Sequence, residues 1–321
     1  MQATASNAAD ASAIERSARN RSSFWQSSIW ALVGLLVFVG IFNLLLPNMG
    51  ANLNDAGLIV LGFLMSLTPA LLWLVIFYRV DSREPEPKRL VATVFIVGML
   101  LTVALFYPIG VLLFQLDTWL YESWWSLLLG GILVVGALSM GIVYLTVRFV
   151  LAGNPEFDER IDGILYAVAA GLGIATIANF MYVLQHGGVD LGIGSIRMVT
   201  TTLGFASFSG VLGYFIGQAR FERTPAYYLP LGVAISATLV GIYEFVLDQT
   251  GGGFGDSAWR DLLVAIFFTL VILGFLAWLI QRSNEETLRV SQLNAAGDAW
   301  EPLAAATAQD ENSEQPAGGA A

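Results

Sequence analysis

Side chains able to do acid, base or metal chemistry are scarce in this sequence. Its 321 residues include one histidine, His186, and no cysteine, so thiolate nucleophiles, disulfides, iron–sulfur clusters and cysteine-rich zinc sites are excluded by count. His186 stands beside Gly187 and Gly188. It could serve a catalytic zinc only if carboxylates such as Glu122, Asp190 or Asp248 converged on it, because such an ion needs about three protein ligands; a loop histidine is the simpler reading. Glu244, four residues before Asp248, is the one carboxylate expected inside an apolar segment away from its ends. It reads either as a ligand or proton relay or, more simply, as a carboxylate reaching the outer headgroup region.

The elements that must carry these groups are membrane helices. The chain is 56% hydrophobic and 12% charged, with a mean hydropathy of +0.68, which rules out a soluble two-domain protein. Eight stretches reach the roughly 20 apolar residues that cross a bilayer: residues 28–46, 57–78, 90–114, 126–150, 163–185, 197–219, 227–247 and 259–281. The first is too long, and followed too late by small residues, for a cleaved signal. Thirteen of the 15 basic residues fall on one side of this division, leaving Arg197 and Arg260 on the other. The positive-inside rule then puts both termini in the cytoplasm. Trp119, Trp124 and Trp125 gather in the opposite, third loop, at headgroup level. The expected fold is an all-α polytopic bundle of eight spans over 28–282. Cytoplasmic tails flank it at 1–27 and 283–321, the second strongly acidic, and both are too polar to fold alone. A net charge of -10 argues against nucleic acid as a partner; the bilayer itself is the partner that composition implies.

The fifth span carries Gly163, Ala167, Gly171, Ala175 and then Asn179, and the sixth carries Ser209, Gly213 and Gly217. A stride of four keeps small residues on one helix face, so two backbones can approach closely. These residues form a packing ridge or a groove for a partner helix.

Three blocks of sequence resemble the PrsW family of intramembrane proteases. The second loop reads Tyr78-Arg79-Val80-Asp81 and then Glu84-Pro85-Glu86-Pro87. Residues 155–183 carry Phe157, Asp158 and Glu159, then Asp162 and Gly163, a small-residue helix, and Asn179 with Tyr182. Residues 197–221 carry Arg197, Gly213, Tyr214, Gly217 and the closing Ala219-Arg220-Phe221. The similarity spans about 60–247 and keeps the family's order. It implies an intramembrane endopeptidase acting on single-pass membrane proteins such as anti-sigma factors, with zinc as the implied metal. At the family's catalytic positions, however, this chain has Gly136 and Ala137 for a glutamate pair, Met140 for a lysine, Ala178 for a glutamate, Ile174 for a phenylalanine and Phe205 for a histidine. A further histidine expected near Ser236 to Thr238 is missing, and the interiors of spans four to six hold no Glu, Asp or His.

Three functions compete. One is a pseudoprotease without cofactor that binds membrane partners through the ridge. The second is an active endopeptidase with a rearranged site drawing on Glu244, Asp248 and His186, with zinc. The third, a transporter, lacks the intramembrane charges such proteins use. Fourteen arginines against one lysine suggest a GC-rich prokaryotic genome, hence a prokaryotic plasma membrane.

Overall fold

A computed structural model describes residues 29–45, 54–78, 87–185, 191–250 and 258–279. The described residues are helical or lie in turns, with no strand among them. We number the helices α1 (Ile29–Asn43), α2 (Asp55–Tyr78), α3 (Lys88–Leu113), the short α4 (Leu116–Trp119), α5 (Trp124–Leu151), α6 (Arg160–Gln185), α7 (Leu191–Phe221), α8 (Tyr228–Thr250) and α9 (Ala258–Leu279). The chain divides into two units at Leu276, and the second contributes only the last turn of α9 to the description. Both expected tails lie outside the described residues, as do His186 and Asp190.

Among the described residues seven helices are long and apolar enough to cross a bilayer. A shorter apolar helix, α1, is described over Ile29–Asn43, and its end widens into a π-turn at Ile41–Leu45. The Asn43 amide pins this end by donating to the Gly192 carbonyl and the Ser195 hydroxyl, each at 3.0 Å.

The centre of the bundle is the α6–α7 pair. In each, 83% of the most apolar window is buried by protein, whereas a surface helix would bury one face. Small side chains make this possible. A Cβ on Gly163 would stand 2.6 Å from the Gly213 carbonyl oxygen and 2.7 Å from the Gly217 amide, so the backbones touch where the ridge of α6 meets that of α7. Gly171 abuts Ser209 in the same way. On its other side α6 receives α3, where a Cβ on Gly98 would lie 2.7 Å from the Ala170 carbonyl. Such close approach lets dispersion hold helices together where no hydrophobic force acts between them.

The end of the pair where α6 begins and α7 finishes is closed by the polar blocks that flank it. Asp162, 1% exposed, accepts hydrogen bonds from the Glu159 amide at 2.7 Å and the Asp158 amide at 3.2 Å. It thus satisfies two N–H groups that the start of α6 leaves open. The Phe157 ring meets Tyr166 and Phe221 edge-on and lies under the Arg220 guanidinium. Arg160 pairs with Glu222 at 2.8 Å. That pair is partly exposed on both sides, so Arg160→Gln is expected to cost under about 1 kcal/mol. A shift of the thermal unfolding midpoint beyond a few degrees would show that the corner depends on charge rather than on Phe157.

Candidate functional site

Two helices widen locally, and together with a folded loop they open a space in the outer half of the bundle. α3 is π-helical over Thr102–Leu113, which contains Pro108, and α5 over Gly131–Gly136; such segments often accompany functional sites. After α3 the chain turns at Gln115, which takes a left-handed conformation with φ 49°. It then folds inward as α4, burying Leu116 and Leu120 against Leu127. A capping box starts α5: the Ser126 amide donates to the Ser123 hydroxyl at 3.1 Å and the Ser123 amide to the Ser126 hydroxyl at 3.0 Å, which fixes the loop's return.

The resulting cavity has a volume of about 540 Å³, within the range of small-molecule sites. Its inner wall is apolar, formed by Ile174, Ile177 and Ala178 of α6, Phe205 of α7, Val135 of α5 and Phe106 of α3. Toward the C-terminal end of α6, the end away from the arginine-rich loops, the lining turns polar. Tyr182, Arg197, Glu244, Asp248, Asp117 and Asp261 stand there.

Local bonds set this polar end. The Arg197 guanidinium lies 4.2 Å from the centre of the Tyr182 ring, a cation–π contact, and its Nε is buried without a hydrogen-bond partner. The Asn179 amide, 1% exposed, donates to the Met198 carbonyl at 3.2 Å. The Tyr243 hydroxyl donates to the Thr200 carbonyl at 2.7 Å. These two bonds tie α6 and α8 to the first turns of α7. Thr200 and Thr202 return their hydroxyls to α7's own carbonyls at 2.8 and 2.7 Å, so the threonine run is largely satisfied within its helix. Tyr121, outside the spans, keeps 66% of its surface exposed. Its phenol is nonetheless pushed up to about 12, by desolvation first and by the Glu244 carboxylate next, with Arg197 opposing. At neutral pH it is therefore a protonated donor at the cavity mouth.

The residues singled out in the sequence divide into three groups. Glu244 and Asp248 line the cavity together. Ala178, Phe205 and Ile174 line the same cavity deeper in. Gly136 instead faces the Ala237 carbonyl across the α5–α8 contact, Met140 is fully buried, and Ala137 is half-buried outside the lining. Glu122 is exposed and also outside it. Sequence reasoning passed over Asp261, Asp117 and Tyr121. Each lies at or near a helix end, where a polar residue reads as a headgroup anchor, yet the structure buries Asp261 to 3% exposure. One Asp261 oxygen accepts from the Thr250 hydroxyl and the other has no partner.

Comparison with known proteins agrees with this architecture. The family model described as "PrsW family intramembrane metalloprotease" matches residues 86–276, which takes in α3 to α8 and most of α9. The chain is 26% identical over 234 residues to Protease PrsW of Bacillus subtilis (strain 168), covering 71% of this chain and 95% of that protein. It is 30% identical over 182 residues to Protease PrsW of Geobacillus kaustophilus (strain HTA426), covering 56% and 77%. To Protease PrsW of Shouchella clausii (strain KSM-K16) it is 29% identical over 227 residues, covering 70% and 98%. No solved structure matches. Because the matched region exceeds half of the sequence and holds the whole cavity, this multi-pass membrane protein belongs to the PrsW family.

Proposed function

We propose that this chain uses the PrsW-type helical frame to hold single-pass membrane partners without cleaving them, in the plasma membrane of a bacterium. One observation carries the reading. At the two places on the inner cavity wall where the family resemblance puts an acid and a histidine, the chain presents Ala178 and Phe205. Neither can ligate a metal or move a proton, and hydrolysis of a peptide bond needs water activated by one or the other. The described residues offer no ligand set for the metal that the family description implies. Among the described residues no three His, Cys, Asp or Glu side chains come together as a ligand set.

A second reading, an endopeptidase with a displaced site, is favoured by the carboxylates of Glu244, Asp248 and Asp261 sharing one cavity and by relatives named as proteases. One experiment separates the two. The full chain is placed in proteoliposomes with a single-pass client carrying a photo-crosslinker in its span, with and without added zinc. The expected result is a crosslinked complex and no cleavage product above protein-free vesicles. Zinc-dependent cleavage that disappears in Glu244→Gln would establish the second reading and end the first.

A further inference from the structure

We propose that the outer end of the cavity binds a hydrophobic ammonium compound, its cationic nitrogen paired with the Asp261 carboxylate in the negative field of Asp248 and Glu244, and its apolar body lying against Phe205 and Ile174. This goes beyond the partner-holding reading and does not rest on it, since the site would exist whether or not a membrane protein docks or is cleaved.

Asp261 is the starting point. It is 3% exposed and lines the cavity. The Thr250 hydroxyl satisfies one of its oxygens, and the other is buried without a partner. Burying a carboxylate oxygen with nothing to bond is costly, and a cationic N–H or a quaternary nitrogen in the cavity would remove that cost. The neighbouring charges have the sign a cation needs. Among the described residues the lining carries four carboxylates, on Asp117, Glu244, Asp248 and Asp261, against one cation, Arg197. Arg197 is itself engaged over the Tyr182 ring. Carboxylates beside tyrosine faces are the usual means of recognising organic cations. The ligand's other end follows from the mainly apolar wall of Ile174, Ile177, Ala178, Phe205, Val135 and Phe106, which a hydrated metal ion or a bare ammonium would leave without an apolar partner. A volume of about 540 Å³ suits a compound with an apolar body of one ring and a short chain.

The probe is 4-phenylbutylamine, compared with neutral 4-phenylbutanol and anionic 4-phenylbutyrate. Binding is measured by calorimetry on the full chain in phosphatidylglycerol nanodiscs, after subtraction of empty nanodiscs. Saturable amine binding is expected, at least tenfold tighter than the alcohol, with no binding of the acid. Asp261→Asn should weaken it at least tenfold. Asp248→Asn, at an exposed position where folding is not in question, should weaken it at least threefold. Repeating the titration in phosphatidylethanolamine nanodiscs distinguishes the source of the nitrogen. Competition there would identify a lipid headgroup as the occupant, and its absence a free amine. Equal binding of amine and alcohol, or amine binding unchanged in both folded variants, would overturn the proposal.

Discussion

Gly163→Leu is expected to cost about 3 kcal/mol or more and to leave little folded protein at ambient temperature. The new Cβ alone would stand 2.6 Å from the Gly213 carbonyl oxygen and 2.7 Å from the Gly217 amide. Both are backbone atoms, so no rotamer change relieves the clash and the two central helices must separate. Overpacking against side chains typically costs 1–3 kcal/mol, and backbone gives less. Gly141→Leu is the matched control, since a Cβ there has nothing within 4 Å. It should change stability by no more than about 1 kcal/mol, with improved helix propensity on the favourable side. The measurement is loss of helical circular dichroism as sodium dodecyl sulfate is titrated into mild-detergent micelles. Equal midpoints for the two variants would mean that α6 and α7 do not touch along this ridge.

The second large effect concerns the polar end of the cavity. Arg197 and Asp248 are the charged groups that act on Glu244, so Arg197→Met leaves two neighbouring carboxylates facing each other without a cation. The expected loss is roughly 1–3 kcal/mol, in the range of coupling between charges in one network. It includes the cation–π contact with Tyr182. Glu244→Gln added to Arg197→Met should restore part of that loss, because one of the two opposed charges is gone. Strict additivity of the two single changes would show that these residues share a cavity without sharing an electrostatic interaction.

Much of the architecture could be read from the amino-acid order, for reasons visible in particular residues. Hydropathy located seven crossing helices because lipid demands about 20 apolar residues whatever their neighbours are. The stride of Gly163, Ala167, Gly171 and Ala175 marked the α6 face that α7 covers, because only small residues permit backbone contact. The expected first span, 28–46, runs past the described residues of α1, whose Asn43 amide is held by the start of α7 through bonds that no local pattern records. The cavity was legible only in part. Its acidic wall is assembled from α8, α9 and the α4 loop, and Asp261 accepts a hydrogen bond from Thr250, 11 residues earlier, a pairing that no local pattern announces. The polar blocks at 155–162 and 219–221 drew attention as family signatures. In the structure Phe157, Asp162 and Phe221 knit the inner end of α6 to that of α7, far along the bundle from the cavity's acidic wall.

Because protein wraps α6 and α7 on nearly every side, hydrocarbon chains meet mainly the peripheral helices. A thinner or thicker bilayer will therefore be accommodated by tilt of that outer ring, while the inner pair behaves like the interior of a water-soluble globule. Changes in acyl-chain length should alter how the molecule sits among lipids, or where in the cell envelope it collects, well before they disturb the geometry around Arg197.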